Sequence, residues 1–230
     1  MTLKFIGNSL RNTVQHASAY FFTDDNELVI IDCSVSTFKK VKLINLMDYN
    51  RIYILITHTH IDHIRGLGLL IRHAFFKYKR HITIVAPSQA VADDIALILD
   101  CEGYNSTCFN LITVENITEK KWFCNCILTK YNLKLDGKCF GYHLIVDNIN
   151  VVYTGDTFTL EPFFPYLTEG TILYVDTSIH YALIHLKLED ALEDFIELTK
   201  KGVKIYLMHL DDIPAAEQII ANYPDINIIY

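Results

Sequence analysis

Four side chains able to hold a metal fall within six residues, His58-Thr-His60-Ile-Asp62-His63, directly after an apolar run that begins at Ile52. In an extended chain alternate residues point the same way, which puts His58 and His60 on one side. The turn that follows can swing Asp62 and His63 back toward them. Imidazole nitrogen and carboxylate oxygen together suit zinc, and also iron or manganese. Such clustering costs charge and desolvation that a purely structural loop would not incur.

This His58-x-His60-x-Asp62-His63 pattern after a hydrophobic strand resembles the signature of the metallo-β-lactamase superfamily, and the resemblance extends over nearly the whole chain. Upstream, Phe5-Ile-Gly7, Ser18-Ala-Tyr20 and Leu28-Val-Ile-Ile-Asp32 are similar to the family's opening strands, with Asp32 at its buried structural aspartate. Downstream, Val151-Val-Tyr-Thr-Gly155-Asp156-Thr157 resembles the strand end that carries a bridging aspartate, and Ile205-Tyr-Leu-Met-His209 the strand that delivers the last histidine. The resemblance implies an α/β fold, a four-layered αββα sandwich of two mixed β-sheets flanked by helices. It also implies one or two Zn2+ ions, with Mn2+ or iron as substitutes. His58 and His60 would hold the first metal, Asp62, His63 and His209 the second, and Asp156 would bridge both. Asp62 would also orient or deprotonate a metal-activated water, and Asp32 would support the histidine loop.

In one place the sequence departs from that pattern. The family contributes one more first-site histidine from a loop before the bridging aspartate, and Lys130 to Tyr142 contains none. Gly141-Tyr142 resembles the Gly-Tyr that follows this loop, which places the missing ligand near Leu135 or Asp136. Asp136 could substitute as an oxygen donor, and Asn132 more weakly. His143 lies on the wrong side of the Gly-Tyr and reads as a strand residue. A nitrogen-poor first site would bind zinc less tightly and tolerate manganese better.

His185-Leu-Lys-Leu-Glu189-Asp-Ala191 resembles the His-x-x-x-Glu-Ala element of the ribonuclease Z-like phosphodiesterase branch. That resemblance implies a histidine near the leaving-group oxygen, where an imidazolium could protonate the departing alkoxide. The expected activity is therefore metal-dependent hydrolysis of a small phosphodiester, cyclic or a nucleotide derivative. The alternatives are a lactone or thioester hydrolase of the same fold, and a non-catalytic metal- or partner-binding member with a degraded first site. Twenty Lys and Arg against 27 Asp and Glu leave a charge of −7, and no Gly/Pro-rich basic arm is present, which argues against a nucleic-acid partner. The best basic patch, Arg72 to His81, reads as the solvated end of a helix.

The elements that must position these residues can be read from periodicity. Short β-branched and aromatic runs recur along the chain, and Thr23-Asp-Asp-Asn-Glu27 between two of them predicts a hairpin. Ser88 can cap a helix through Val91, Ile95 and Ile98. Leu188, Ala191, Leu192, Phe195 and Leu198 predict a second helix, stopped by Gly202. Residues Cys101 to Lys121 are the least regular and read as an excursion or lid. A chain of 230 residues with 51% apolar content suits a single domain over residues 1–230. Its six cysteines are dispersed without a CxxC pair, its start shows no secretory signal, and no apolar span approaches ~20 residues. A cytoplasmic protein outside the membrane is the expectation. The apolar segment Ile226 to Tyr230 permits a homodimer without requiring one.

Overall fold

The computed structural model describes residues 2–7, 18–117, 119–131, 135–180 and 184–229. They fall into two compact units, the first built from described residues up to Lys120 and the second from Lys121 onward. Each unit carries one six-stranded mixed sheet with strands in sequence order.

In the first unit β1 (Lys4–Gly7), β2 (Ser18–Phe22) and β3 (Glu27–Ile31) are antiparallel neighbours. The predicted hairpin joins β2 to β3, with Asn26 at φ 56° in its turn. From β3 the sheet continues parallel through β4 (Arg51–Leu55), β5 (Thr83–Ala86) and β6 (Asn110–Thr113). Parallel strands need crossovers, and helices α1 (Val35–Val41), α2 (Ile61–Ile64), α3 (Leu67–Arg72) and α4 (Gln89–Cys101) supply them. Ser88 caps α4 as the sequence predicts, its hydroxyl accepting from the Val91 N–H, and Val91, Ile95 and Leu99 form the buried face.

One sequence expectation changes here, while the basic patch is the solvated end of a helix as read, with Arg72, Lys77, Lys79 and His81 exposed. The segment from Cys101 to Lys121, read as an excursion or lid, contains the edge strand β6, which pairs with β5 from Thr83↔Asn110 to Ala86↔Thr113. That pairing is non-local, so no local periodicity could announce it. In the basic patch, Arg80 is committed to structure, its guanidinium donating to the carbonyls of Leu46, Tyr49 and Asn50.

The second unit begins with the antiparallel strands β7 (Phe123–Leu128), β8 (Phe140–Val146) and β9 (Ile149–Tyr153). Parallel strands β10 (Ile172–Asp176), β11 (Lys204–Met208) and β12 (Ile226–Ile228) complete the sheet. Helices α5 (Leu188–Lys200) and α6 (Ile213–Ile220) connect them. The predicted stripe of α5 holds: Leu188, Ala191, Phe195 and Leu198 are buried against Val203, Ile205 and Leu207. The apolar segment at Ile226 is used within the chain, pairing with β11 from Ile205↔Ile226 to Leu207↔Ile228. Among the described residues no helix is long and apolar enough to cross a membrane.

Candidate metal centre

The histidine loop hangs on Asp32. This residue directly follows β3, is fully buried, and sits at φ 60°, a backbone region costly for a non-glycine residue. Its carboxylate accepts from the Thr57 N–H (2.8 Å), the Thr57 hydroxyl (2.8 Å) and His63 Nδ1 (2.8 Å). The chain just past β4 is thereby fastened to the end of β3, and the rings of His58, His60 and His63 converge. Their centroids lie 4.6 Å apart for His58 and His60 and 4.1 Å for His58 and His63. His58 Nε2 and His60 Nδ1 approach to 3.0 Å, and Asp62 Oδ2 lies 3.5 Å from His63 Nε2. The first unit thus brings together the four loop residues named from the sequence, with Asp32 in the supporting role expected of it.

A second close approach fixes this geometry. Cys33 donates its N–H to the His63 carbonyl, and Gly66 donates its own to the Cys33 carbonyl. A Cβ on Gly66 would lie 2.1 Å from the Ser34 carbonyl oxygen, so only glycine lets the turn after β3 meet the joint between α2 and α3.

In the second unit three named residues gather around one that sequence reasoning missed, Asp176. It ends β10 and is fully buried. Its Oδ2 accepts from His185 Nδ1 (2.9 Å) and the Thr157 N–H (2.9 Å), and its Oδ1 from His209 Nδ1 (3.2 Å). Asp156 stands beside both rings, Oδ1 3.6 Å from His209 Nδ1 and Oδ2 4.0 Å from His185 Nδ1. Asp156, Asp176, His185 and His209 are all buried, and one ligand atom from each lies within 4.8 Å of the others. His209 sits at φ 62°, so both units hold a site residue in the left-handed region at a strand end.

The charges are mutually dependent. Burial pushes the Asp176 carboxyl up, but His185 and His209 overcome it and hold its pKa down at about 2. Burial likewise disfavours charge on His185, yet Asp176 and then Asp156 raise its pKa above the ordinary histidine value. A dense set of imidazole nitrogens and carboxylate oxygens at buried strand ends fits a divalent transition-metal cation.

Among the described residues, Asp136, His143 and His180 are in none of the groups of ligand atoms that close within 4.8 Å of one another. Asp136 is exposed at a turn closed by the Lys138 N–H and Leu135 carbonyl, and Asn132 lies outside the described residues. His143 is on β8, its Nε2 3.2 Å from Asn150 Oδ1. Gly141 packs so tightly that a Cβ would come within 2.6 Å of the Tyr153 and Thr154 carbonyls, just before the Asp156 turn. His180 is exposed, 3.2 Å from Asp212. His185, by contrast, is 3% exposed and not a surface residue at a helix start.

Comparison with known proteins bears on the family and the fold. A family model described as "Anti-Pycsar protein Apyc1" matches residues 1–223. No curated protein matches by sequence. Among solved structures, Zn2+-bound PqqB from Methylobacterium extorquens is similar at 9% identity and TM-score 0.74, over 100% of this chain and 98% of its own. The metallo-β-lactamase fold protein YhfI from Bacillus subtilis aligns at 16% identity and TM-score 0.75, over 99% and 95%. The short form of human tRNase Z, ELAC1, aligns at 16% identity and TM-score 0.67, over 92% and 93%. The fold is the metallo-β-lactamase fold, as its sequence resemblance implied.

Proposed function

Because the chain belongs to the family of the anti-Pycsar protein Apyc1, we propose that it is a metal-dependent hydrolase of a small phosphodiester with an anti-Pycsar role. The observation that carries the reading is the pairing of buried His185 with Asp176 beside Asp156 and His209. A histidine made more basic inside a cluster of metal-type ligands is suited to deliver a proton to a leaving oxygen. In this reading His58, His60, Asp62, His63, Asp156 and His209 serve as metal ligands in a single domain. Zinc is the proposed cation and manganese or iron its substitutes. A divalent cation bound by such residues supplies Lewis acidity and lowers the pKa of water.

The chain's own residues then have separable tasks. Asp62 accepts the proton of the attacking water, and Asp32 holds His63 in one orientation through Nδ1. His185 keeps Nδ1 on Asp176 and presents Nε2 to the departing oxygen. A histidine there is useful for a poor alkoxide leaving group and dispensable for a thiolate, which separates phosphodiester from thioester chemistry. Cytoplasmic placement belongs to the same proposal.

The test is metal analysis of protein purified without added metals, followed by turnover of bis(p-nitrophenyl) phosphate against lactone and thioester panels. At least about one equivalent of transition metal and a preference for the phosphodiester are expected. Less than about 0.3 equivalents with no recovery on adding zinc or manganese would sink the reading, and a preference for lactones would replace it.

A further inference from the structure

Asp211 lies two residues beyond His209, between β11 and α6, and its carboxylate accepts three hydrogen bonds from one short stretch of chain. The Ser178 hydroxyl reaches Oδ2 at 2.9 Å, the Ile179 N–H reaches Oδ1 at 2.8 Å, and the His180 N–H reaches Oδ2 at 2.9 Å. Ser178 is also where the chain closes on itself. Its N–H donates to the Leu186 carbonyl (2.8 Å), and its own carbonyl accepts from the Leu188 N–H (3.0 Å). Three pieces of chain therefore meet at Ser178: the exit from β10 just after Asp176, the entry to α5 just after His185, and the turn just after His209.

This junction brackets the bond between His185 and Asp176. His185 immediately precedes Leu186, and Asp176 precedes Ser178 by two residues, so both ends of that bond are carried on backbone held at Ser178. An ionised carboxylate accepting from donors at both oxygens makes charge-assisted bonds of the stronger kind. An amide in its place keeps one accepting oxygen and turns an N–H group toward other N–H donors. Nothing in the arrangement requires Asp211 to touch substrate.

We propose that Asp211 is a positioning residue for His185, holding the backbone junction that presents the imidazole; this rests on the leaving-group role given to His185 above. Its consequence is a loss of kcat rather than of binding, because displacement of a catalytic group by about 1 Å can cost on the order of 100-fold in rate.

The experiment compares Asp211→Asn and Ser178→Ala in the full metal-loaded chain, in wild-type and His185→Ala backgrounds, with a nucleoside alkyl phosphodiester, whose leaving group is an alkoxide, as substrate. Expected for Asp211→Asn is a fall in kcat of about 10- to 100-fold with KM within about threefold and bound metal unchanged. In the His185→Ala background the same change should cost less than about twofold, the non-additivity of two residues acting as one. A second readout is independent of activity: in protein labelled with 15N-histidine, the His185 ring resonances should move in Asp211→Asn while those of His81 and His143 stay. Equal losses in both backgrounds, or unmoved His185 resonances, would overturn the proposal. If His185→Ala alone keeps wild-type turnover, the leaving-group reading fails, and the ring resonances then decide the positioning role by themselves. Should Asp211→Asn not fold, Ser178→Ala removes only one of the three donors, and a smaller shift of the same resonances is expected; their constancy would overturn the proposal.

Discussion

Asp176 holds His185 and His209 through their Nδ1 atoms, one on each carboxylate oxygen, at 2.9 and 3.2 Å. One fully buried group thereby sets the orientation of a proposed proton donor and of a proposed metal ligand. The two oxygens act differently in one respect. Oδ2 also accepts the Thr157 N–H and so fixes the turn that carries Asp156. The carboxylate joins the ends of β9, β10 and β11 within the second unit.

Replacing Asp176 with Asn should therefore damage two properties where His185→Ala damages one. An amide supports neither the positive charge on His185 nor a single tautomer for both rings. We expect kcat to fall by about 100-fold or more, by analogy with other carboxylate–imidazole pairs, and metal affinity to fall by about 10- to 100-fold through His209. His185→Ala should lower turnover with metal content unchanged. Steady-state kinetics beside metal analysis checks this, and an Asp176→Asn protein with full metal content would remove the link to His209.

Asp32 should behave as its counterpart in the first unit, with no role in the chemical step. Its three accepted bonds fix Thr57 and His63, so Asp32→Asn should weaken metal retention by about 10- to 100-fold. Titration with a competing chelator measures this. With saturating metal, most of the activity should return. Lost activity that added metal cannot restore would mean that Asp32 does more than orient the loop.

The sequence made the first unit's site legible because its ligands are crowded: His58, His60, Asp62 and His63 are local, and the strand before them announces their direction. Asp156, His185 and His209 were reachable through resemblance. Asp176 was not, although Val175-Asp176-Thr177 repeats the strand-end Asp-Thr of Gly155-Asp156-Thr157. A signal was present in that repeat, but its meaning depends on two histidines 9 and 33 residues away. The same limit hid β6, since an edge strand with half-buried residues has no alternation strong enough to separate it from a loop. Asp136 is the opposite case. Its residue type and position suited a ligand, and the structure leaves it exposed at a turn.

Gly66 offers a test of how the histidine loop is seated. With the Ser34 carbonyl oxygen 2.1 Å from a Cβ and the Cys33 oxygen at 2.7 Å, the obstruction is backbone and cannot rotate away. Gly66→Ala should destabilise by about 1–3 kcal/mol, the usual cost of overpacking, and more where backbone must move. Because Cys33 bonds to the His63 carbonyl and neighbours Asp32, metal affinity should fall as well. Urea denaturation of the metal-free and metal-loaded protein checks both, and unchanged stability would show that the two turns can part without cost.

The pair between Lys120 and Glu27 gives a pH prediction away from the metal site. Glu27 is 3% exposed, and Lys120 Nζ lies 2.5 Å from its Oε1 and 5.3 Å from the centre of the Tyr53 ring. Burial works to lower the Lys120 pKa, but the Glu27 bond and the Tyr53 and Glu27 charges raise it above the ordinary lysine value. A lysine whose pKa rises on folding stabilises the native state through its bound proton. That contribution is fully present below about pH 10.5 and is lost as pH climbs through the higher folded value. Lys120→Met should cost about 3 kcal/mol at pH 7 to 8, since it strands a buried carboxylate. Lys120→Arg should recover much of this. In urea denaturation the gap between wild type and Lys120→Met should narrow as pH is taken above 10.5. A gap of constant size would assign the loss to packing on Tyr53 instead of charge.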